Sequence, residues 1–169
     1  MASTSTTSEE IVPPSASTSK EKVPCDIFIN HHEPDAKDAV ALAIYNALRA
    51  RGFKVFLDLK DLQSEEFFPV ELKEAIRSAS LHVAVFSPTY AKSPRCLDEL
   101  SFMLESRKPI IPVFYSVQPT DLRWVAQGKG MYVNAFSEYE EHLSEKLQEW
   151  KTPLHKVSFY MGEIIYINE

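Results

Sequence analysis

Apolar residues occur along the chain in short runs, and these runs alternate with longer segments in which apolar residues recur every three or four positions. The short runs are rich in Val, Ile, Leu and Phe and are bounded by polar residues, Pro or Gly, which is typical of strands buried on both faces. The longer segments have the spacing of amphipathic helices. Four strands are predicted on this basis, over residues 25–30, 53–57, 81–86 and 110–115.

Helices are predicted between these strands. The first covers residues 36–51 and ends at Gly52, and the second runs from Pro69 to about Ala79 with Leu72 and Ile76 facing inward. The buried positions expected on the first helix are Val40, Ala43, Ile44, Ala47 and Leu48.

A third helix is predicted to follow the third strand. Ser93 is a good N-cap and Pro94 suits the first helical position, and leucines then recur at helical spacing to about Arg107. Asp98 and Glu99 lie in its first turns, where the helix dipole favours negative charge. This segment alone is an ordinary capped helix with acidic residues near its start.

The last third of the chain has a weaker pattern. A short helix is expected over residues 121–126, a turn over 128–130, a fifth strand around 131–136, and a short strand or core contact from the apolar tail 164–167. Pro112 inside the fourth strand indicates a sheet edge or a local irregularity. A last helix is marked by Leu143, Leu147, Trp150 and Leu154, and Pro153 is expected to kink or end it.

Alternation of strands and helices predicts an α/β fold with a parallel sheet and helices on both faces. For about five such units, we expect a flavodoxin-like three-layer sandwich with a five-stranded parallel sheet of order 2-1-3-4-5. Ligands in such folds lie beyond the carboxyl ends of the strands, at the switch point between strands one and three. The loop 31–35 and the segment after Phe86 both reach that point, and Glu99 is expected above the same crevice.

The composition indicates one folded domain with a polar tail. Residues 1–22 consist of Ser, Thr, Pro and charged residues with few apolar ones, so they are predicted to be disordered, and the domain is predicted over residues 23–169. No apolar run approaches the roughly 20 residues that cross a bilayer, so no membrane partner is expected. Cys25 and Cys96 form no disulfide framework, and a cytoplasmic or nucleocytoplasmic compartment is expected.

Charge and glycine content exclude some classes of function. The chain has 18 basic against 24 acidic residues, and this excess of negative charge argues against a nucleic-acid partner. Only four glycines occur, and none forms a phosphate-binding loop between an early strand and a helix. A nucleotide bound by this chain is therefore held by other means.

Several uses of a flavodoxin-like fold can be tested on the residues. A phospho-acceptor domain requires an Asp at the end of the third strand, where this chain has Ser87. A flavin-binding domain requires a Ser-, Thr- or Gly-rich loop after the first strand, and residues 31–35 read His-His-Glu-Pro-Asp. A metal site in that loop is disfavoured because adjacent strand residues point to opposite faces, and no metal is expected.

Four motifs, in this order and spacing, together resemble the plant-type TIR (Toll/interleukin-1 receptor) domain over residues 25–157. The first is Asp26-Ile27-Phe28-Ile29, and the second combines Phe56-Leu57-Asp58 and Asp61-Leu62 with residues 71–76. The third runs from Val85-Phe86-Ser87-Pro88 to Cys96-Leu97-Asp98-Glu99-Leu100, and the fourth is residues 111–115 with Val117, Pro119, Asp121 and Arg123. With no nucleotide-switch domain or leucine-rich repeats in the sequence, a TIR-only protein is expected.

The resemblance implies the same flavodoxin-like fold and an activity. The implied reaction is hydrolysis of NAD+ at the nicotinamide–ribose bond, in some members with cyclisation or transfer of ADP-ribose, to produce nucleotide signals in plant immunity. The family's catalytic glutamate corresponds to Glu99, and substrate contacts are expected from His32, Ser87, Arg95 and Phe56. NAD+ is expected as the substrate rather than a cofactor, and self-association and other TIR domains are the expected protein partners.

Some positions differ from the family pattern. Where the family has an Arg-Gly-Glu-Asp stretch, this chain has His32 to Asp35, and Glu65 replaces a Gly of the loop after the second strand. Arg95 occupies a position that is usually Trp, and Leu42 and Ala43 replace a Ser-His pair used in assembly. Two hypotheses follow: an NAD+ hydrolase that is active when assembled, or a weakly active or inactive interaction module that serves other TIR proteins as adaptor or decoy.

Overall fold

The computed structural model describes residues 25–32, 40–57 and 70–166. Its centre is a parallel sheet of five strands in the order β2-β1-β3-β4-β5. This order confirms the predicted arrangement, and it places the ends of β1 and β3 side by side. The strands are β1 Ile27–Asn30, β2 Val55–Leu57, β3 Leu81–Phe86, β4 Ile110–Tyr115 and β5 Glu163–Ile165.

Six helices accompany the sheet within the described ranges. They are α1 Leu42–Ala50, α2 Val70–Ser78, α3 Pro94–Glu105, α4 Pro119–Trp124, α5 Val133–His142 and α6 Leu147–Val157. None of the described helices is long and apolar enough to cross a membrane. The predicted tail 1–22 and the predictions for residues 33–39, 58–69 and 167–169 lie outside the described residues, and Glu33, Pro34, Asp35 and Glu65 are among them.

Two apolar clusters lie on the two faces of the sheet, as the predicted three-layer arrangement requires. On one face, alternate strand residues such as Phe28, Phe86 and Phe114 pack with side chains from α2 to α6. On the other face, the alternate set, including Ile29 and Val85, packs with α1 and the residues just before it. The period of two along each strand sends neighbouring side chains to opposite layers.

The buried stripe of α1 differs from the predicted one. Val40 is buried and Ile44 and Leu48 are half-buried against the sheet, as predicted, and they are joined by Tyr45. Ala43 and Ala47, however, are exposed. Successive helical residues are about 100° apart, so Ala43 and Ala47, each one position before Ile44 and Leu48, point away from the line on which those two side chains meet the sheet.

The fifth strand was predicted in the wrong place. Residues 131–136 form a turn and the start of α5, and the edge strand β5 comes instead from the apolar tail, for which a short strand was one of two expectations. The buried residues Tyr132, Ala135, Phe136 and Tyr139 recur at intervals of three and four, which is a helical period. Gly162 precedes β5 and lies so close to Pro112 that a Cβ there would be 2.0 Å from the Pro112 carbonyl oxygen.

Pro153 does not end the last helix, which was one of the two outcomes expected for it, because α6 continues through it to Val157. A proline in a helix lacks the N–H that would bond the carbonyl four residues earlier, here that of Glu149. The Ser101 hydroxyl of α3 donates to this carbonyl at 2.8 Å. A neighbouring helix therefore supplies the hydrogen bond that proline removes.

Candidate functional site

The candidate site lies where the carboxyl ends of β1 and β3 meet the start of α3. Asn30 is the last residue of β1, and after β3 the chain forms a short 3-10 turn at Tyr90–Lys92 before α3 begins. Ser93 caps this helix as predicted, because its hydroxyl accepts a hydrogen bond from the Cys96 N–H at 3.2 Å. The cap fixes the first turn of α3 and thereby places Glu99 one turn further on.

Glu99 is a buried carboxylate, with only 5% of its surface exposed. The Asn30 side-chain amide donates to its Oε2 at 2.7 Å. The guanidinium of Arg95, one helical turn earlier, lies 3.4 Å from Oε1 through Nε, and the Arg95 side chain is 22% exposed. A buried carboxylate requires such donors, because burial without them is strongly unfavourable.

Asn30 is itself oriented by a second buried side chain. The Tyr90 hydroxyl donates to Asn30 Oδ1 at 2.5 Å and lies 3.1 Å from the Cys96 carbonyl oxygen. Burial raises the pKa of Tyr90 well above its ordinary value of 10, and the nearby Cys96 and Glu99 act in the same direction. The phenol therefore stays protonated and acts as a hydrogen-bond donor near neutral pH.

Asp98, the neighbouring acidic residue, has a different environment from Glu99. Its Oδ1 accepts a hydrogen bond from the indole N–H of Trp150 at 2.8 Å. Trp150 is buried on α6, so this bond ties α3 to α6. The two adjacent carboxylates of α3 thus serve different parts of the molecule.

Two of the predicted substrate contacts lie beside the start of α3. Arg95 contacts Glu99 directly, as described above. His32 is half-buried, and its Nδ1 lies 3.0 Å from the Thr89 hydroxyl, which links the loop after β1 to the turn after β3. Both side chains therefore lie near the carboxyl ends of β1 and β3, where the resemblance expects a nucleotide.

The other two predicted contacts lie deeper. Ser87 is fully buried at the end of β3, and its carbonyl accepts a hydrogen bond from the Tyr132 hydroxyl at 2.7 Å. Its own hydroxyl has no hydrogen-bond partner among the described residues. Phe56 stacks on Phe28 with ring centroids 5.6 Å apart, and its position in β2 pairs with Phe28, two residues before the end of β1. Their roles in substrate binding remain predictions.

Asn30 and Tyr90 were not identified as site residues from the sequence. One available signal is that Asn30 is a polar residue directly at the end of an apolar strand, where a side chain must find a partner. Tyr90 was part of a recognised motif, but its contact with a residue 60 positions earlier requires the fold.

The described side chains include no cluster suited to bind a metal ion. Within residues 25–32, 40–57 and 70–166, no group of three or more His, Cys, Asp or Glu residues is placed to hold a metal ion. Glu33 and Asp35, two candidate ligands in the loop 31–35 considered above, lie outside these ranges.

Comparison with known sequences identifies relatives among plant proteins. The chain is 34% identical over 137 residues to "Probable 2' cyclic ADP-D-ribose synthase BdTIR" of Brachypodium distachyon, covering 81% of this chain and 58% of that protein. It is 33% identical over 144 residues to "Disease resistance protein RUN1" of Vitis rotundifolia, covering 81% of this chain and 10% of that protein. The chain thus spans less than two thirds of the length of these relatives.

Comparison with solved structures supports the same relationship. The TIR domains in the structure of the activated Roq1 resistosome superpose with a TM-score of 0.73 at 31% identity, covering 83% of this chain and 87% of that one. The family model described as "TIR domain" matches residues 25–166, which is most of the sequence. The chain therefore belongs to the TIR domain family.

Proposed function

We propose that this chain hydrolyses NAD+ at the bond between nicotinamide and ribose, with Glu99 as the catalytic carboxylate. The observation that carries the proposal is the placement of Glu99, a buried carboxylate held by Asn30 above the carboxyl ends of β1 and β3. Ligands bind at this position in open α/β sheets. The name of the Brachypodium relative, a cyclic ADP-ribose synthase, supports the proposal, since forming such a product from NAD+ breaks the same bond.

The reaction needs few protein groups. Nicotinamide leaves as a neutral molecule when the electron pair of the C1′–N bond moves to its ring nitrogen, so no general acid is required. The ribose becomes oxocarbenium-like, and the negative charge of Glu99 stabilises the positive charge that develops at C1′. Water then adds at C1′ and loses a proton, which yields ADP-ribose. If a hydroxyl of the ADP-ribose itself adds instead, the product is cyclic.

Arg95 has a role in this scheme that follows from its ion pair with Glu99. The pair places a cation in the first turn of α3, 3.4 Å from the Glu99 carboxylate, and the Arg95 side chain remains partly exposed. A guanidinium binds phosphate oxygens well, because its planar fork matches their geometry. When NAD+ binds, the Arg95 guanidinium contacts the pyrophosphate in place of Glu99. Glu99 Oε1 is then available to the ribose.

The remaining predicted contacts complete the substrate site. His32, held against Thr89, provides a hydrogen-bonding group at the loop after β1, whereas Ser87, fully buried at the end of β3, lies beneath the site. Phe56 contributes an aromatic surface below the crevice through its stack on Phe28. NAD+ is consumed as the substrate in this scheme and is not a resident cofactor.

The proposed biological role is the production of nucleotide signals in plant immunity after self-association of the domain, in the cytoplasm or nucleocytoplasm. Relatives named as disease resistance proteins support the immune context, and a resistosome that contains TIR domains supports assembly. Cys25 and Cys96 are buried thiols, as suits a reducing compartment.

The test is nicotinamide release from NAD+ by the purified full chain at high protein concentration with a crowding agent. Glu99→Gln keeps the shape of the side chain and removes its charge, and we expect it to lower the rate by about 100-fold or more. Asp98→Asn is the matched control on the same helix, and its rate should stay near that of the wild type. Release that survives in Glu99→Gln contradicts the assignment of Glu99, and no release from the wild type contradicts the activity.

The second candidate function is an interaction module without turnover. Arg95 favours it, because in this structure the guanidinium engages the carboxylate that catalysis needs. Here the domain binds other TIR domains, and Glu99 serves only the fold. Size-exclusion chromatography with a candidate TIR partner tests this, since the association should be the same for the wild type and for Glu99→Gln.

A further inference from the structure

Two fully buried side chains from different elements converge behind Glu99. Asn30 comes from the end of β1 and Tyr90 from the turn before α3, and neither exposes any surface. Burying an amide and a phenol is unfavourable unless both are hydrogen-bonded. Both are satisfied here, and the chain of bonds that satisfies them ends on Oε2 of Glu99.

The hydrogen bonds in this chain have a fixed direction. The protonated Tyr90 hydroxyl donates to Asn30 Oδ1, so the carbonyl end of the amide faces the tyrosine. The amino end must then face Glu99, to which it donates at 2.7 Å. A flipped amide would bring Oδ1 against the carboxylate oxygen and leave two acceptors in contact. Tyr90 therefore determines which end of Asn30 the carboxylate meets.

A second contact fixes the position of the amide relative to α3. Asn30 Nδ2 also lies 3.5 Å from the Cys96 carbonyl oxygen, and the Tyr90 hydroxyl lies 3.1 Å from that same oxygen. The Asn30 side chain thus contacts α3 at two points within one turn of the helix, namely the backbone carbonyl of Cys96 and the side chain of Glu99. Small displacements of the carboxylate relative to β1 are resisted at both points.

We propose that Asn30, oriented by Tyr90, is a positioning residue that holds the Glu99 carboxylate in its reactive place. This inference rests on the proposed NAD+ hydrolysis. Asn30 lies behind the carboxylate and is fully buried, so it acts on the reaction through Glu99. Its loss should lower kcat and leave KM nearly unchanged, because the groups proposed to bind the rest of NAD+ are elsewhere.

Steady-state kinetics of nicotinamide release test the proposal with three variants. Asn30→Ala removes the bond to Glu99, and kcat should fall by about 10- to 100-fold. Tyr90→Phe keeps the ring and frees the amide to rotate, so kcat should fall by a smaller factor, about 3- to 10-fold. Asp98→Ala is the structural control, since it removes the bond to Trp150 on the same helix, and its kcat should stay within about twofold of the wild type.

The outcomes separate positioning from general destabilisation. All variants are assayed below their unfolding temperature. A wild-type kcat in folded Asn30→Ala overturns the proposal, and so does an equal loss of kcat in Asn30→Ala and Asp98→Ala. A rise in KM with an unchanged kcat also overturns it.

A second measurement does not depend on turnover and therefore separates this proposal from the activity itself. In the NMR spectrum of the wild type, the Asn30 side-chain amide proton that faces Glu99 should resonate downfield, as expected for a short bond to a carboxylate. It should move upfield in Glu99→Gln and change in Tyr90→Phe, but stay in place in Asp98→Ala. If the wild type releases no nicotinamide while these shifts occur, the hydrolase proposal fails and the hydrogen-bonded chain stands. An Asn30 amide that does not respond to Glu99→Gln overturns the positioning proposal.

Discussion

The two faces of the sheet are built by different means. The face that packs against α2 to α6 contains large aromatic side chains and also buries polar ones, among them His82, Tyr90 and Glu99. The face that packs against α1 is formed mainly by aliphatic residues of the strands. The helix of that face, α1, has no buried residue, whereas α3 has five.

This difference separates two kinds of specificity. Aliphatic contacts are non-directional and tolerate changes of shape that preserve volume, so the α1 face requires little beyond apolar residues of suitable size. Buried polar groups accept only partners in suitable positions, so the opposite face fixes its helices relative to the strand ends. The candidate site lies on the second kind of face, where a carboxylate can be held in place before substrate arrives.

The largest expected difference between the faces concerns buried volume. Trp150→Ala removes a ring that packs 5.0 Å from Tyr139 and donates to Asp98, and it should lower the free energy of unfolding by about 3–5 kcal/mol. Leu48→Ala, on the half-buried side of α1, should lower it by only about 1 kcal/mol. Urea unfolding at neutral pH measures both. Equal losses would contradict the difference between the faces.

A pH-dependent effect on stability should arise from His82, on the same face as the candidate site. His82 is fully buried, and its Nε2 lies 2.8 Å from the Ile76 carbonyl oxygen, so Nε2 carries the proton of the neutral ring. Its Nδ1 has no hydrogen-bond partner among the described residues. Burial lowers the pKa of His82 below its ordinary 6.5, and the charge of Lys108 adds to this, although the bond to Ile76 opposes it.

The sign of this effect follows from proton binding. Below pH 6.5 the unfolded chain binds a proton at His82 that the folded chain does not. The contribution of neutral His82 to the free energy of unfolding is therefore fully present above that pH and is lost as the pH falls. One such proton contributes at most about 1.4 kcal/mol per pH unit. Unfolding measured from pH 7 to 5 should show this slope, and His82→Gln should flatten it. His142→Gln, at an exposed histidine, should leave the slope as it is.

The sequence was sufficient for the order of the strands and for the place of Glu99. Strand order followed from apolar runs separated by helical segments, and Glu99 followed from a capped helix start after the third strand, together with the family motif. Both predictions depend on residues that lie close together in the sequence, within one or two helices or strands. The buried positions 132, 135, 136 and 139 recur at a helical interval, which is why residues 131–136 do not form the predicted strand.

The sequence was not sufficient for contacts between distant residues. The bonds of Asn30 to Glu99 and of Tyr90 to Asn30 join positions 69 and 60 residues apart, and no local pattern encodes them. Pro153 was expected to disturb its helix, and by propensity alone that was reasonable. In the folded chain, the Glu149 carbonyl accepts a hydrogen bond from Ser101, a residue on another helix. Tertiary partners decide where local preference and final structure differ.

A smaller effect should distinguish the starts of the two helices. The Ser93 hydroxyl caps α3, whereas no side chain caps α1 at Ala41. Ser93→Ala should lower the free energy of unfolding by about 1 kcal/mol, because the Cys96 N–H loses its acceptor inside the protein. Ser93→Thr keeps the acceptor oxygen and should retain most of the stability. Urea unfolding of both variants decides the point, and a Ser93→Ala protein as stable as the wild type would mean that the cap contributes nothing.

The smallest expected effect tests the repair of α6 by α3. Ser101→Ala leaves the Glu149 carbonyl without the hydroxyl that now donates to it, and it should lower the free energy of unfolding by about 0.5–1 kcal/mol. Pro153→Ala restores a backbone N–H that can donate to the same carbonyl. The cost of Ser101→Ala should therefore shrink in the Pro153→Ala background, and a double-mutant cycle measures this coupling. Strict additivity of the two substitutions would show that the Ser101 hydroxyl does not compensate for the proline, and that α6 continues through Pro153 because of its apolar packing on this face alone.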